Sequence, residues 1–266
     1  MTMSNEKVHF FRAPDLPEVE LYQTNGVFGS VDRHVHSVFS ASVTVSGLRI
    51  HETRRGKVPV PPNGILIVNV GEMHGSLASG AASATRALRI QPRFLRKIIA
   101  EITGRQDDIL PLRQPVIQEA QLARQLLEVQ SMLVASPSRL EKETRILGLF
   151  YQLYSRHSLE NLPIVRMGQE KKSIARACEY LQACTTENVS LETLSEIAGL
   201  SPFHFSRLFT KEVGVPPHAY QVQVRLQKAT DLLAAGCSVT DVAFATGFCD
   251  QSHLQKAFKR KYGITP

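Results

Sequence analysis

The side chains best suited to chemistry form two similar polar faces in the last third of the chain. In the segments 202–213 and 250–262, apolar residues recur at helical spacing and leave polar and basic side chains on the opposite side. These residue types pair with base edges and phosphates, which is what a helix needs to enter the major groove of DNA. The two faces comprise His204, Ser206, Arg207, Thr210 and Lys211, and Gln251, Ser252, Gln255, Lys256 and Lys259.

Three histidines near the N-terminus form a second candidate site. His34 and His36 are two residues apart, and His74 lies in a later segment. Three imidazoles that meet from neighbouring strands suit a divalent metal, but they equally suit the wall of a small-molecule pocket, or simple packing. Of these alternatives we favour an effector pocket, in which Arg33 and Glu72 help to orient a polar ligand. We expect no bound metal, no other cofactor and no catalytic residue.

Each polar face belongs to a helix–turn–helix unit, and the unit occurs twice. Leu191–Pro217 is repeated as Val239–Pro266, with serine or aspartate N-caps at the helix starts. The pattern predicts the units at about 190–213 and 238–262. Between them, residues 217–235 predict a helix of roughly 28 Å, comparable to the spacing of about 34 Å between successive major-groove faces. We therefore expect the two recognition helices to enter adjacent major grooves. The alternative, that each polar face is only a solvated surface of a structural helix, is disfavoured because two copies carry equivalent faces.

The segment from about Lys172 to Pro266 resembles the DNA-binding domain of the AraC/XylS family of bacterial transcription regulators. The string GFCDQSHLQKAFKRKYGITP, from Gly247 onward, carries the resemblance. The resemblance implies base contacts from Phe203, Ser206, Arg207, Gln251, Ser252, Gln255 and Lys256. Because Phe203 and Ser206 are apolar or small where relatives often carry larger polar groups, we expect the first helix to read sequence weakly and, through Arg207 and Lys211, to contribute more to phosphate anchoring. Relatives also run on past Pro266 by a short polar tail, so a truncated C-terminus is expected.

The N-terminal region reads as a β-domain. Residues from about 8 to 90 form short strand-like runs separated by Gly, Asn and Pro, which predicts an antiparallel sheet or a small barrel. In the regulators that this chain resembles, a cupin-like barrel occupies this place, and the three histidines match weak traces of cupin motifs. The usual glutamate is missing, since Ser40 or Ala41 stands in its position, and this disfavours a metal. His51 has no partner motif and is predicted to lie on a surface strand.

Residues 91–158 have the periodicity of helices, and the segments 114–134 and 138–158 predict an antiparallel pair. The predicted packing stripes are Ile117, Ala120, Leu127 and Val134 on one helix, and Leu140, Leu147 and Tyr154 on the other. Further apolar residues would then be left for a partner, namely Leu122, Leu126, Met132, Leu133, Leu149 and Leu153. By resemblance we predict a homodimer through helices about 115–157. The alternative is that these helices only cover the barrel.

The whole chain of 266 residues is long enough for two domains. We predict a multi-domain α+β fold: a cupin-like effector-binding and dimerisation domain (1–158), a linker (159–169) and an all-α DNA-binding domain (170–266). No apolar run approaches the roughly 20 residues of a membrane helix, and the N-terminus lacks the pattern of a signal peptide, so a cytoplasmic location is expected. The net charge of +7 favours an anionic partner.

The expected function is that of a sequence-specific DNA-binding transcription regulator, and the expected mode is activation in response to a small-molecule effector. By resemblance, RNA polymerase is a further partner. Two rivals remain: a non-specific or architectural DNA binder, and a metal-dependent cupin enzyme fused to a DNA-binding domain. The glutamines and serine of the second recognition helix disfavour the first rival, since non-specific binding needs only basic residues.

Overall fold

Two compact units make up the chain. The computed structural model describes residues 7–27, 29–54, 56–78, 80–104, 109–160 and 171–266. The N-terminal unit comprises Met1–Ala135 with Ile146–Pro163, and the C-terminal unit comprises Ser136–Arg145 with Ile164–Pro266. The segment 136–145 thus groups with the C-terminal residues, whereas the division expected from the sequence was contiguous. Most of the expected linker, 159–169, lies outside the described residues.

The N-terminal unit contains two antiparallel sheets. Its described strands are β1 (Lys7–Arg12), β2 (Val19–Val27), β3 (Val31–His34), β4 (Phe39–Ser46), β5 (Arg49–Thr53), β6 (Gly56–Val60), β7 (Gly64–Val68), β8 (His74–Leu77), β9 (Ser83–Ile90) and β10 (Val116–Gln118). The larger sheet has the order β1-β2-β9-β4-β7-β10, and the smaller one has the order β3-β8-β5-β6. The antiparallel β-domain predicted from the sequence is confirmed, although β10 lies outside the segment, about 8–90, in which strands were predicted.

The larger sheet has one apolar face and one polar face. Along β4, Phe39, Ala41 and Val43 alternate with Ser40, Ser42 and Thr44, so the two sets point to opposite sides. Helix-facing Ala41 lies beside leucines of two N-terminal helices. On the other side, the register places Thr24, Thr85 and Thr44 in one cross-strand row, and the Thr24 and Thr85 hydroxyls lie 2.8 Å apart. Polar side chains are uncommon in the interior of a β-domain, and this polar face is therefore a candidate ligand-binding surface.

Three helices follow β9 in the N-terminal part of the chain. They are α1 (Pro92–Thr103), α2 (Ala120–Ala135) and α3 (Arg139–His157). The start of α1 at Pro92 and its end at Gly104, which has a φ of 71°, match the sequence signals. The predicted start of the second helix at 114 is wrong, because Val116–Gln118 instead pairs with β7 as a sixth strand.

The predicted packing faces of α2 and α3 are also partly wrong. Leu122, Leu126 and Leu133, assigned to a partner, are buried within the protein, whereas Val134, assigned to the packed stripe, is 54% exposed. On α3, Leu149 and Leu153 are likewise buried, in addition to the expected Leu140, Leu147 and Tyr154. The leucines that favoured a dimer are therefore buried within the chain.

The C-terminal unit contains the two predicted helix–turn–helix pairs. Its helices are α4 (Lys171–Ala183), α5 (Leu191–Ala198), α6 (Pro202–Val213), α7 (Pro217–Ala234), α8 (Val239–Ala245) and α9 (Gln251–Tyr262). All four expected caps are formed: the side chains of Ser190, Ser201, Ser238 and Asp250 each accept a hydrogen bond from the backbone N–H three residues on. Gly199, Gly214 and Gly263 end their helices in the left-handed conformation.

The first turns of α3 also belong to this unit. A carboxylate oxygen of Glu143 accepts a hydrogen bond of 2.7 Å from the backbone N–H of Leu191, the first residue of α5. The neighbouring backbone N–H of Arg139 donates to the Asn188 side chain at 3.1 Å. Since a helix leaves its first N–H groups without internal partners, Glu143 satisfies one donor that Ser190 does not reach.

Candidate nucleic-acid interface and ligand site

The polar face of α9 is exposed as the sequence predicted. Gln251, Ser252, Lys256 and Lys259 are exposed and Gln255 is half-buried, while Leu254 and Phe258 are buried in the opposite stripe. The Gln251 side-chain oxygen accepts a hydrogen bond of 3.1 Å from Thr240 of α8. The arrangement leaves amide, hydroxyl and ammonium groups on one accessible side of a helix, which are the groups that read bases and bind phosphates.

The charge of α9 is entirely positive. Within Gln251–Tyr262 there are four cations, Lys256, Lys259, Arg260 and Lys261, and no acidic residue. Three of the cations lie in the last turn, where the helix dipole also favours positive charge. The capping Asp250 stands just before the helix, and its pKa is lowered because its carboxylate accepts the His253 backbone N–H. The exposed face therefore combines base-reading groups with phosphate-binding charge.

The corresponding face of α6 is smaller and less polar. Lys211 is exposed, whereas Ser206, Arg207 and His204 are half-buried. Phe203 is only 3% exposed, and the Arg207 guanidinium carbon lies 5.4 Å from the centre of its ring. The assignment of Phe203 to base contact, which came from family resemblance, is therefore corrected. Its ring packs inside the unit and lies against the Arg207 guanidinium.

A buried arginine that the sequence did not single out fixes the turn before the first helix–turn–helix pair. Arg225 of α7 donates from Nε to the Thr185 carbonyl at 2.7 Å and from a terminal nitrogen to the Glu187 carbonyl at 2.9 Å. Thr185 also lies against Gly247, whose φ is 81° and where an added Cβ would meet the Thr185 carbonyl oxygen at 2.6 Å. Only glycine fits here, and Arg225 holds together the turns that precede α5 and α9.

The three N-terminal histidines come together on the smaller sheet. The ring centroids of His34 and His74 are 4.4 Å apart, those of His36 and His74 are 4.7 Å apart, and those of His34 and His36 are 6.1 Å apart. Each Nδ1 contacts a backbone carbonyl, at 2.8 Å for His34, 2.9 Å for His36 and 3.2 Å for His74. Because a carbonyl oxygen only accepts, each Nδ1 carries the proton, which leaves Nε2 of a neutral ring as an acceptor.

Burial favours the neutral form of two of these rings, those of His36 and His74. The pKa values of His36 and His74 are lowered chiefly by burial, and the nearby charges of the other histidines and of Arg89 lower them further. Among the described residues, no group of three or more His, Cys, Asp or Glu side chains is arranged to hold a metal ion. The Nε2 atoms of the neutral rings are hydrogen-bond acceptors.

The two flanking residues predicted for this site differ in where their side chains lie. Glu72 turns its carboxylate back onto Asn69, accepting from the backbone N–H at 3.0 Å and from the side-chain amide at 2.9 Å. Only its backbone carbonyl reaches His74. Arg33 is exposed on β3. Glu72 thus shapes the turn before β8, with one carboxylate oxygen, Oε2, engaged by Asn69.

Two further polar residues near the cluster were missed or misplaced. His51 is mostly buried rather than on the surface: burial, together with the charges of Arg49 and His74, lowers its pKa to about 4. Arg89 lies on the polar face of the larger sheet, with its guanidinium carbon 4.2 Å from the centre of the Tyr22 ring. Side chains alternate between the two faces of the sheet along β9, which is a central strand. An arginine in such a strand can point to the interior of the domain, so this alternation could have identified Arg89 as a candidate site residue.

No helix in the described ranges is long and apolar enough to cross a membrane.

Comparisons with known proteins agree with both halves of this description. The family model of the AraC-like ligand binding domain matches residues 20–153, and a helix-turn-helix domain model matches residues 194–266. An uncharacterised HTH-type transcriptional regulator of Bacillus subtilis, YbfI, is 30% identical over 254 residues, which cover 95% of this chain and 91% of that protein.

Two further similar proteins match one or both units. The HTH-type transcriptional regulator MtrA of Neisseria gonorrhoeae is 37% identical over 103 residues, which cover 38% of this chain and 34% of that regulator. The crystal structure of ToxT from Vibrio cholerae covers 93% of this chain and 94% of its own, with 14% identity and a TM-score of 0.36.

Proposed function

Because this chain belongs to the AraC family of transcription regulators, with a ligand-binding and a helix-turn-helix domain, we propose that it is an activator controlled by a small-molecule effector. The observation that carries the DNA-binding part is the exposed face of α9, which combines Gln, Ser and Lys side chains on a capped helix. Binding to DNA takes place in the cytoplasm.

The two recognition helices have different roles in this proposal. α9 reads bases through Gln251, Ser252, Gln255 and Lys256, with Lys259 on phosphate. α6 anchors phosphates through Arg207 and Lys211, with His204 and Ser206 beside them. α7 has 18 residues, about 27 Å at 1.5 Å per residue, which supports placement of the two helices in adjacent major grooves.

The effector site lies at the histidine cluster of the N-terminal unit. His34, His36 and His74 offer Nε2 acceptors, and Arg33 at the rim adds a donor. The Glu72 side chain supports the turn and does not contact the effector, a change from its expected role. Activation through RNA polymerase and a homodimer through helices 115–157 rest on family resemblance, and the buried leucines of α2 remove the sequence argument for that dimer surface.

The DNA-binding part is tested on the full chain with an operator selected from genomic fragments and then footprinted. Lys256→Ala should weaken operator binding by about 1–3 kcal/mol while binding to random duplex changes little, because a base contact discriminates between sequences. Arg207→Ala should weaken both equally and lower the salt slope by about 1, as expected of a phosphate contact. Lys172→Ala removes the same charge at an exposed position of α4 and serves as the matched control.

Three outcomes would change the assignment. If operator and random duplex bind equally well, the protein is an architectural DNA binder. If Lys256→Ala and Arg207→Ala behave like Lys172→Ala, the DNA lies on another face. If no compound that raises the melting temperature of the full chain also changes operator affinity or transcription from the operator, control by an effector is wrong.

A further inference from the structure

Among the described residues, one positively charged side chain of the N-terminal unit, Arg89, has no negatively charged partner. The Arg89 Nε is buried without a hydrogen-bond partner, and within the described parts of the chain no carboxylate forms an ion pair with its guanidinium. Burial lowers the Arg89 pKa, yet guanidinium remains protonated at any physiological pH. A half-buried charge without a partner is costly, which is why such groups are normally paired or bind a ligand.

The carboxylate opposite Arg89 in the sheet is engaged elsewhere. The sheet register places Glu20 directly opposite Arg89 on β2, but the Glu20 carboxylate accepts a hydrogen bond from Arg12. On the other side, Ser40 of β4 is opposite Arg89 and is buried. The sheet therefore surrounds the guanidinium with neutral or occupied groups.

The walls around Arg89 are aromatic and neutral. Tyr22 stacks beneath the guanidinium at 4.2 Å, and Phe10, 66% exposed, packs against Tyr22 with ring centroids 4.8 Å apart. The charge of Arg89 also contributes to lowering the pKa of His36 and of His74. These histidines supply acceptors rather than negative charge.

We propose that the effector is a small organic carboxylic acid whose carboxylate pairs with Arg89. Its apolar part lies along Phe10 and Tyr22, and its polar hydrogens reach the free Nε2 acceptors of the histidine cluster. A carboxylate matches the planar donors of guanidinium, and the aromatic rings distinguish an organic acid from an inorganic anion. This inference rests on the proposed effector control and narrows it to one chemical class.

The test compares matched ligands on the full chain. Acetate, hexanoate, decanoate, benzoate and phenylacetate are each measured against their primary amides, with inorganic phosphate as a further probe, by thermal shift and then calorimetry. At least one carboxylate should raise the melting temperature while its amide does not. Arg89→Gln should weaken its binding by about 10- to 100-fold, because a charge-assisted hydrogen bond is lost.

Controls separate this site from general electrostatics. Arg93→Gln removes the same charge from a side chain that is 70% exposed, and should change affinity less than twofold. Arg89→Lys, which keeps the charge but not the planar fork, should restore part of the binding. An unchanged far-UV circular dichroism spectrum and an unchanged melting temperature without ligand show that Arg89→Gln is folded.

Each other result overturns the inference in a different way. If a neutral compound raises the melting temperature and changes operator affinity, effector control stands but the carboxylate class is wrong. If phosphate binds as well as any carboxylate, the site takes anions without regard to the organic part, which also overturns it. If no carboxylate binds, or if Arg89→Gln binds as wild type does, Arg89 is not the counter-ion.

Discussion

Replacing Arg225 by methionine tests how the two helix–turn–helix pairs are held together. The substitution removes the hydrogen bonds to the Thr185 and Glu187 carbonyls, at 2.7 and 2.9 Å, from a side chain that is largely buried. A hydrogen bond from a charged group contributes about 1.5–3 kcal/mol, but removing the buried charge recovers part of the desolvation cost. We therefore expect the free energy of unfolding of the C-terminal unit to fall by about 2–4 kcal/mol.

The measurement is urea unfolding of the full chain followed by far-UV circular dichroism, because the chain contains no tryptophan. Gln227→Met, an exposed position on the same helix, is the control for methionine itself and should change the free energy by less than about 0.5 kcal/mol. Arg225→Lys should fall between the two, since one ammonium cannot reach both carbonyls. A loss for Arg225→Met no larger than that for Gln227→Met would show that the turn is held without Arg225.

The remaining predictions concern pH, capping and metal. The pKa of His51 is about 4 in the folded protein and about 6.5 in the unfolded chain. Between these pH values the unfolded chain therefore binds more protons than the folded protein. The free energy of unfolding should accordingly fall by about 3 kcal/mol as the pH drops from 6.5 to 4. His51→Gln should flatten this dependence in pH-dependent melting, whereas His9→Gln, at an exposed position, should not. Glu143→Ala should lower the free energy of unfolding by about 0.5–2 kcal/mol, because the Leu191 N–H loses its acceptor; an unchanged urea midpoint would contradict this. Elemental analysis should find no stoichiometric metal and chelators should leave the melting temperature unchanged, whereas a stoichiometric metal lost in His74→Ala would revive the cupin-enzyme alternative.

The sequence predicted what depends on neighbours along the chain. Ser190, Ser201 and Asp250 mark helix starts because a cap needs only a side-chain oxygen and the next three residues, and each was located correctly. The outward face of α9 follows from helical periodicity in the same way. These features are local, so no knowledge of the rest of the fold was needed.

Features that depend on distant partners were predicted poorly. Val116–Gln118 was placed in a helix because its periodicity is ambiguous, and only pairing with β7 decides for a strand. Phe203 and His51 were misplaced because their burial depends on elements far away in sequence. Arg225 was overlooked for a related reason: an arginine on a helix is ordinarily solvated, and nothing near it in the chain marks its carbonyl acceptors.

The grouping of residues 136–145 with the C-terminal helices bears on how such a regulator is divided and recombined. A fragment that begins at residue 171 retains both recognition helices but lacks Glu143, and with it the acceptor for the first N–H of α5. Chimeras that graft the DNA-binding domain onto a different sensor would inherit the same defect if joined directly before α4. A junction placed ahead of Ser136 would transplant the recognition module together with Glu143, its own acceptor.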